Sequence, residues 1–410
     1  MSSPAPFVLT TAMIVAMVAG MASFVTFPAL LPMFQQEWDL SSTQAGWISG
    51  IFFAGYVISV PILTSLTDRI DPRRVFLASM ALSALATAGF GLTASGTWTA
   101  SCWRFIQGIG FAGTYMPGLK AMTDLVPERV RNRCVAWYTA TFTVGSGVSF
   151  LLSGVLAAAY SWRLAWGLLA LGPVLGYVLA MMVLPKQPTR SAVSASRMLD
   201  FRPVLARPQA VAYMAAYGIH NAESSAMRAW AVALLVFSQH QQPSGIIGAD
   251  WSPTVIAMVA NLLGLPAILI TNELARRYNR PQVIAIVMVL SALIGVALGA
   301  FLHAPFSIVV FLIFLYGFMV PADSGSINAG LVDVAPVTLR GANMALHALF
   351  GFSGAFLGPL VFGVFLDFGG GAASQQGWVI AFIAFTVIAG LGAILLPILA
   401  SRSPQQVPLA

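Results

Sequence analysis

Apolar runs of about 20 residues or more follow one another along the whole chain, and they limit its possible folds more than any other feature. A run of that length crosses the hydrocarbon core of a bilayer as a helix, and lipid offers no partner to an unpaired backbone N–H or C=O. Only a helix bundle or a closed β-barrel meets that condition. Barrel strands alternate apolar and polar residues over about ten positions, and these runs do not alternate. Composition agrees: 58% of the 410 residues are hydrophobic and 8% are charged, against roughly 25% charged in soluble domains. The expected class is an all-α polytopic membrane protein.

The chain also repeats itself. Shifted by 209 positions, Gly108 falls on Gly317, Asp124 on Asp333, Pro127 on Pro336, Arg131 on Arg340, Gly145 on Gly354 and Gly154 on Gly363. Apolar helices resemble one another by composition, but a polar Asp-x-x-Pro-x-x-x-Arg hinge does not recur by composition alone. Twelve spans are expected, at 7–34, 43–65, 73–95, 98–124, 130–158 and 163–184, then 209–238, 252–272, 281–302, 305–333, 338–366 and 376–400. The expected domains are a six-helix bundle over 1–185, a polar linker over 186–208, a second six-helix bundle over 209–400 and a tail over 401–410. Duplication implies a pseudo-two-fold axis.

Charge sets the orientation. With the start of the chain in the cytoplasm, alternate loops and the tail hold Arg69, Arg73, Arg74, Arg129, Arg131, Arg133, Lys186, Arg190, Arg197, Arg202, Arg207, Arg276, Arg277, Arg280, Arg340 and Arg402. That is 16 of 20 basic residues, which places both termini inside an inner membrane by the positive-inside rule. The net charge of +7 is therefore read as topology and not as nucleic-acid binding. The start lacks a basic region and an A-x-A-like cleavage site, so it is read as a retained span. Cys102 and Cys134 form no redox or metal spacing.

Six plus six spans in two parallel copies resemble the major facilitator superfamily, whose halves are related by an axis along the membrane normal. Local elements carry the resemblance further. The loop Leu66-Thr-Asp-Arg-Ile-Asp-Pro-Arg-Arg74 is similar to the family's Gly-x-Leu-Ala-Asp-Arg-x-Gly-Arg-Arg, with Thr64 at the leading Gly and Asp71-Pro72 as departures. Its counterpart Asn272-Glu-Leu-Ala-Arg-Arg-Tyr-Asn-Arg280 carries Arg276 in place of the acidic residue. Arg104-x-x-Gln107-Gly108 resembles the family's Arg-x-x-Gln-Gly element on the fourth span. The resemblance implies that Asp68 contacts a helix end in the opposite half. Arg73 or Arg74 would then pair with Asp124, with Arg69 in the same gating loop, while Arg276 weakens the equivalent contact in the second half.

Ionisable groups inside spans cost a few kcal/mol each and generally face a cavity or a partner. Arg104 suits an anionic group or a fixed charge, or else a hydrogen bond to backbone carbonyls of neighbouring helices. Lys120 suits either an anion or Asp124 one turn on. On the seventh span His220 and Glu223 share a face, with Asn221, Ser224, Ser225 and Arg228 nearby, and that span is expected to break or bend at its centre. On the tenth, Pro321-Ala-Asp-Ser-Gly-Ser-Ile-Asn328 predicts an interrupted helix at midplane depth, where transporters of this kind bind substrate. The expected substrate contacts are Arg104, Gln107, Tyr115, Lys120, Tyr217, Asn221, Asp323, Ser324 and Asn328. Glu223, His220 and Asp323 are the expected proton carriers, and His347 on the eleventh span is read as a packing residue. Trp103, Phe105, Trp230 and Tyr316 suit a pathway, the core or the interfacial belt.

No P-loop, metal cluster or nucleophile–base pattern stands out, so no enzyme activity, cofactor or metal is expected. The expected function is secondary active transport of a small anionic or zwitterionic solute, coupled to protons. The alternatives are a proton-driven efflux antiporter for drugs or metabolites, and a receptor-like or accessory membrane protein without flux. Against efflux, the fifth span lacks the Gly-Pro element of the family's drug antiporters, and Gly358-Pro359 stands on the eleventh instead. The expected partners are solute, protons and lipid bilayer, with no nucleic acid, and the chain is expected to act as a monomer.

Overall fold

The computed structural model describes residues 6–186, 201–242, 250–336 and 339–400. Arg190, Arg197, Arg402, most of the 186–208 linker and the 401–410 tail lie outside the described residues. All regular structure among the described residues is helical, and the helices group into twelve spans. By length and composition, nine are apolar enough to cross a membrane. The other three are the first, which is interrupted, the fourth (Thr97–Thr123) and the seventh (Pro208–His240). The fourth carries Arg104, Gln107 and Lys120, and the seventh carries His220, Glu223 and Arg228.

Proline explains where spans break, because it lacks the N–H that the carbonyl four residues back would accept. The first span was expected to run unbroken over 7–34. It is instead Pro6–Gly20, Thr26–Ala29 and Leu31–Glu37, with Pro28 and Pro32 in the later pieces. The sixth parts at Ala170 ahead of Pro173, and the eighth at Leu263 ahead of Pro266. The tenth is Phe306–Met319 and Ser324–Val334 with Pro321 between, as its sequence predicts. The seventh departs from expectation. It is one unbroken helix of 33 residues, because nothing after Pro208 removes a backbone donor and its polar side chains find partners elsewhere.

Glycines let spans approach at backbone distance, as is usual between membrane helices. A β-carbon at Gly108 would stand 1.9 Å from the Phe52 carbonyl oxygen, seating the fourth span on the second (Ser42–Leu66). In the second half, one at Gly354 would stand 2.0 Å from the Gly218 carbonyl oxygen. Gly108→Val is expected to lower thermal stability in detergent by at least about 1–3 kcal/mol, since backbone cannot yield as a flexible side chain does. An unchanged melting curve would contradict that packing.

The two six-helix halves meet away from the basic loops. The second span packs along the eleventh (Arg340–Phe368), where a β-carbon at Gly46, Gly50 or Gly363 would fall 2.2–2.3 Å from the carbonyl oxygens of Pro359, Phe356 and Ser42. Asp367 closes this contact by accepting the backbone N–H groups of Ser42 at 2.9 Å and Thr43 at 2.7 Å. Ser41 caps the next donor, Gln44, so the first-turn N–H groups of the second span are satisfied partly by the opposite half. The fifth span (Glu128–Ala159) meets the eighth through Gly147 on Leu262, Gly154 on Thr254 and Asn261 Nδ2 donating to the Thr143 carbonyl at 2.8 Å.

Candidate functional site

The break in the first span sets the chemistry of the first half. Pro28 leaves the Phe24 carbonyl without its helical donor, and Arg104 Nη1 supplies one at 3.1 Å. The same Nη1 donates to Gln107 Oε1 at 2.6 Å. Gln107 Nε2 donates to Ser23 Oγ at 2.6 Å, and Ser23 and Thr87 share a hydrogen bond of 2.9 Å. Ser149 Oγ donates to the Ala22 carbonyl and accepts the Val25 N–H. Spans four and five thus bind the backbone exposed by the break, and span three binds the Ser23 side chain within it. Arg104 is 2% exposed, its guanidinium lies 4.8 Å from the Phe52 ring centre, and no carboxylate among the described residues comes within 4 Å.

The second half buries acids and imidazoles together. His220 Nδ1 lies 2.6 Å from Asp323 Oδ1, a pair that is ionic when the imidazole is protonated. Asp323 stands at the tenth-span break, just before Ser324–Val334. Glu223 accepts the hydroxyls of Ser291 and Tyr316, each at 3.1 Å. His220 and Glu223 share the helical face that their spacing predicts, yet each takes its partner from another span. His347 Nε2 contacts Asn328 Oδ1, and its ring stacks on Tyr217 at 3.8 Å. Asn221 Nδ2 donates to the Tyr217 carbonyl at 2.9 Å, and Ser324 Oγ to that of Pro321 at 2.9 Å. His220, Glu223, Asp323 and His347 are buried, Tyr217, Asn221 and Ser324 half-buried, and Asn328 exposed.

Between the halves lie partners that sequence reasoning missed. Arg228 of the seventh span has its guanidinium carbon 5.7 Å from the Phe142 ring centre on the fifth span, and Nη1 donates to Ser224 Oγ at 2.8 Å. Arg228 and Phe142 are half-buried, as is Tyr115 on the fourth span. Ser291 is equally new as a Glu223 partner. Its only sequence signal is a lone hydroxyl in a run of Val, Leu and Ile.

At the basic end, Lys120 Nζ lies 3.9 Å from Asp68 and 3.6 Å from Asp124, joining both expected gating acids within one half. Arg73 does not reach Asp124: its Nη2 donates to the Met181 carbonyl at 3.0 Å. Arg69 and Arg74 are exposed, and the structure gives neither an ion pair with Asp124. The second half holds the arginine–aspartate pair expected of the first. Arg280 Nη2 is 3.3 Å from Asp333, the repeat counterpart of Asp124, while Arg276 and Arg277 hold Glu273.

Comparison with known proteins matches this architecture. The niacin transporter NiaP of Acinetobacter baylyi is 26% identical over 148 residues, 36% of this chain and 34% of that protein. The match thus spans about a third of that relative's length. The phosphoglycerate transporter protein of Salmonella typhimurium is 22% identical over 411 residues, 90% of this chain and 85% of its own. Among solved structures, a bacterial homolog of the human lysosomal transporter spinster, in an inward-facing and unoccupied conformation, superposes with a TM-score of 0.74 at 14% identity, covering 98% of this chain and 96% of that one. The Major Facilitator Superfamily model matches residues 12–247 and again 225–409. The chain is a multi-pass membrane protein that belongs to the Major Facilitator Superfamily.

Proposed function

We propose that the chain is a secondary active transporter that moves a small organic anion across the membrane by alternating access, coupled to protons. One observation carries the reading. Glu223, Asp323 and His220 are buried at span depth in the second half, and Glu223 lies within two turns of the half-buried Asn221 and Arg228 on its own helix. Such groups are costly in a membrane, and they characteristically line substrate and proton paths. A carboxylate whose surroundings alternate between dry and wet changes its affinity for protons, which is what coupling requires. The anionic solute is supported by Arg228, a half-buried cation within a span whose contacts are the Ser224 hydroxyl and the Phe142 ring, and by relatives named for niacin and phosphoglycerate, both carboxylic acids.

With the basic loops in the cytoplasm, as the positive-inside rule places them, the contacts of Asp367 and Gly46 lie on the outer side. We therefore read this conformation as inward-facing. Asp68 then belongs to a latch of the opposite conformation, and its 3.9 Å approach to Lys120 is where it rests when that latch is open. The test is counterflow. Liposomes containing the protein and loaded with unlabelled nicotinate or 3-phosphoglycerate are diluted into a trace of the labelled acid. Transient accumulation above equilibrium is expected. Equilibration without overshoot for both acids, with overshoot for an amphipathic cation, would replace this reading with drug efflux.

A further inference from the structure

We infer that Arg228 anchors the carboxylate of a planar organic acid whose flat face lies on an aromatic wall of the opposite half, an inference that rests on the anion transport proposed above. Among the described residues no Asp or Glu lies within 4 Å of the Arg228 guanidinium, which donates to Ser224 and faces the Phe142 ring. A guanidinium has five N–H donors in a planar fork, and the two that meet a carboxylate side by side are not those spent on one hydroxyl. An arginine at span depth without a counter-ion is costly unless something else neutralises it. Arg104, the other arginine at span depth, is committed to the Phe24 carbonyl and Gln107 and is almost wholly buried. Arg228 is half-buried, so it is the cation a solute can meet.

The wall beside it is aromatic. Phe142 meets Phe24 edge-on at 5.4 Å, Phe24 stacks on Phe111 at 5.6 Å, and Phe111 stacks on Tyr115 at 6.5 Å. Phe24 and Phe111 are buried behind, while Phe142 and Tyr115 keep exposed faces. An aromatic acid has both complements: a carboxylate for the fork and a flat π-face for the rings. Arg228 and Phe142 belong to different halves, so an acid held between them touches both bundles. Its affinity then depends on how the halves stand, as a coupled substrate requires.

Binding to purified protein in nanodiscs tests this with three probes: benzoate, benzamide and cyclohexanecarboxylate. Benzoate is expected to bind the wild type, the saturated acid more weakly and benzamide not measurably. Arg228→Gln should weaken benzoate by roughly tenfold or more, and Arg228→Lys should recover only part, because a point charge does not replace a fork. Phe142→Leu should erase the preference for benzoate over cyclohexanecarboxylate. Wild-type affinity in folded Arg228→Gln overturns the anchor, as does benzamide binding as well as benzoate. If the organic acids still show counterflow in either case, the transport reading stands without the anchor. Absence of both binding and counterflow in the wild type removes both. If Arg228→Gln does not fold, Phe142→Leu decides, and an unchanged preference overturns the proposal.

Discussion

Glu223→Gln is expected to abolish uphill accumulation of solute while leaving exchange at zero gradient intact. The substitution changes little except the proton. Glu223 accepts two hydroxyls, from Ser291 and Tyr316, and an amide of the same size keeps a carbonyl acceptor and offers an N–H group to the other hydroxyl oxygen. The helix and its packing therefore persist. An amide does not ionise, so a cycle that carries a proton across on this side chain has nothing to release. Exchange needs only the loaded carrier to swing back and forth, and it continues. Asp323→Asn should behave differently, because it removes the partner of His220 at the tenth-span break; both exchange and accumulation should fall. Full accumulation in Glu223→Gln would take the proton away from this residue.

Asp367→Ala is expected to shift the resting population about tenfold towards a form open at the Ser42 end. The carboxylate caps a helix of the other half through Ser42 and Thr43. Removing a cap of this kind costs about 0.5–2 kcal/mol, and a charge at a partly buried helix start is worth up to about 2 kcal/mol. The loss falls only on the conformation in which the second and eleventh spans touch. A difference of about 1.4 kcal/mol is tenfold in population. Spin labels at the exposed Gln36 and Ala373, one in each half, should report a longer separation in a larger fraction of molecules. An unchanged distance distribution would mean that the glycine contacts hold the end shut unaided.

What the sequence disclosed and what it hid follow from range. Periodicity and length are local, so the spans, the duplication and the Pro321 break were legible. Pro28 and Pro32 were legible too, but an unbroken apolar run reads as one helix unless the freed carbonyls are given partners, and those partners are Arg104 and Ser149, far along the chain. The seventh span erred the other way. Its polar residues suggest a weak helix, yet polarity does not break a helix whose backbone donors are intact. His220 and Glu223 lie on one face, as spacing predicts, but whether they pair with each other depends on Asp323, Ser291 and Tyr316 arriving from other spans. The Arg228–Phe142 contact was hidden because nothing in the helix of Arg228 names Phe142 as a neighbour.

The most direct measurement is the internal pH of liposomes carrying the protein when an organic acid such as 3-phosphoglycerate is added outside with no initial gradient. Proton-coupled uptake acidifies the lumen in step with tracer entry, and Glu223→Gln removes the acidification. Tracer entry with no pH change in the wild type would contradict the account.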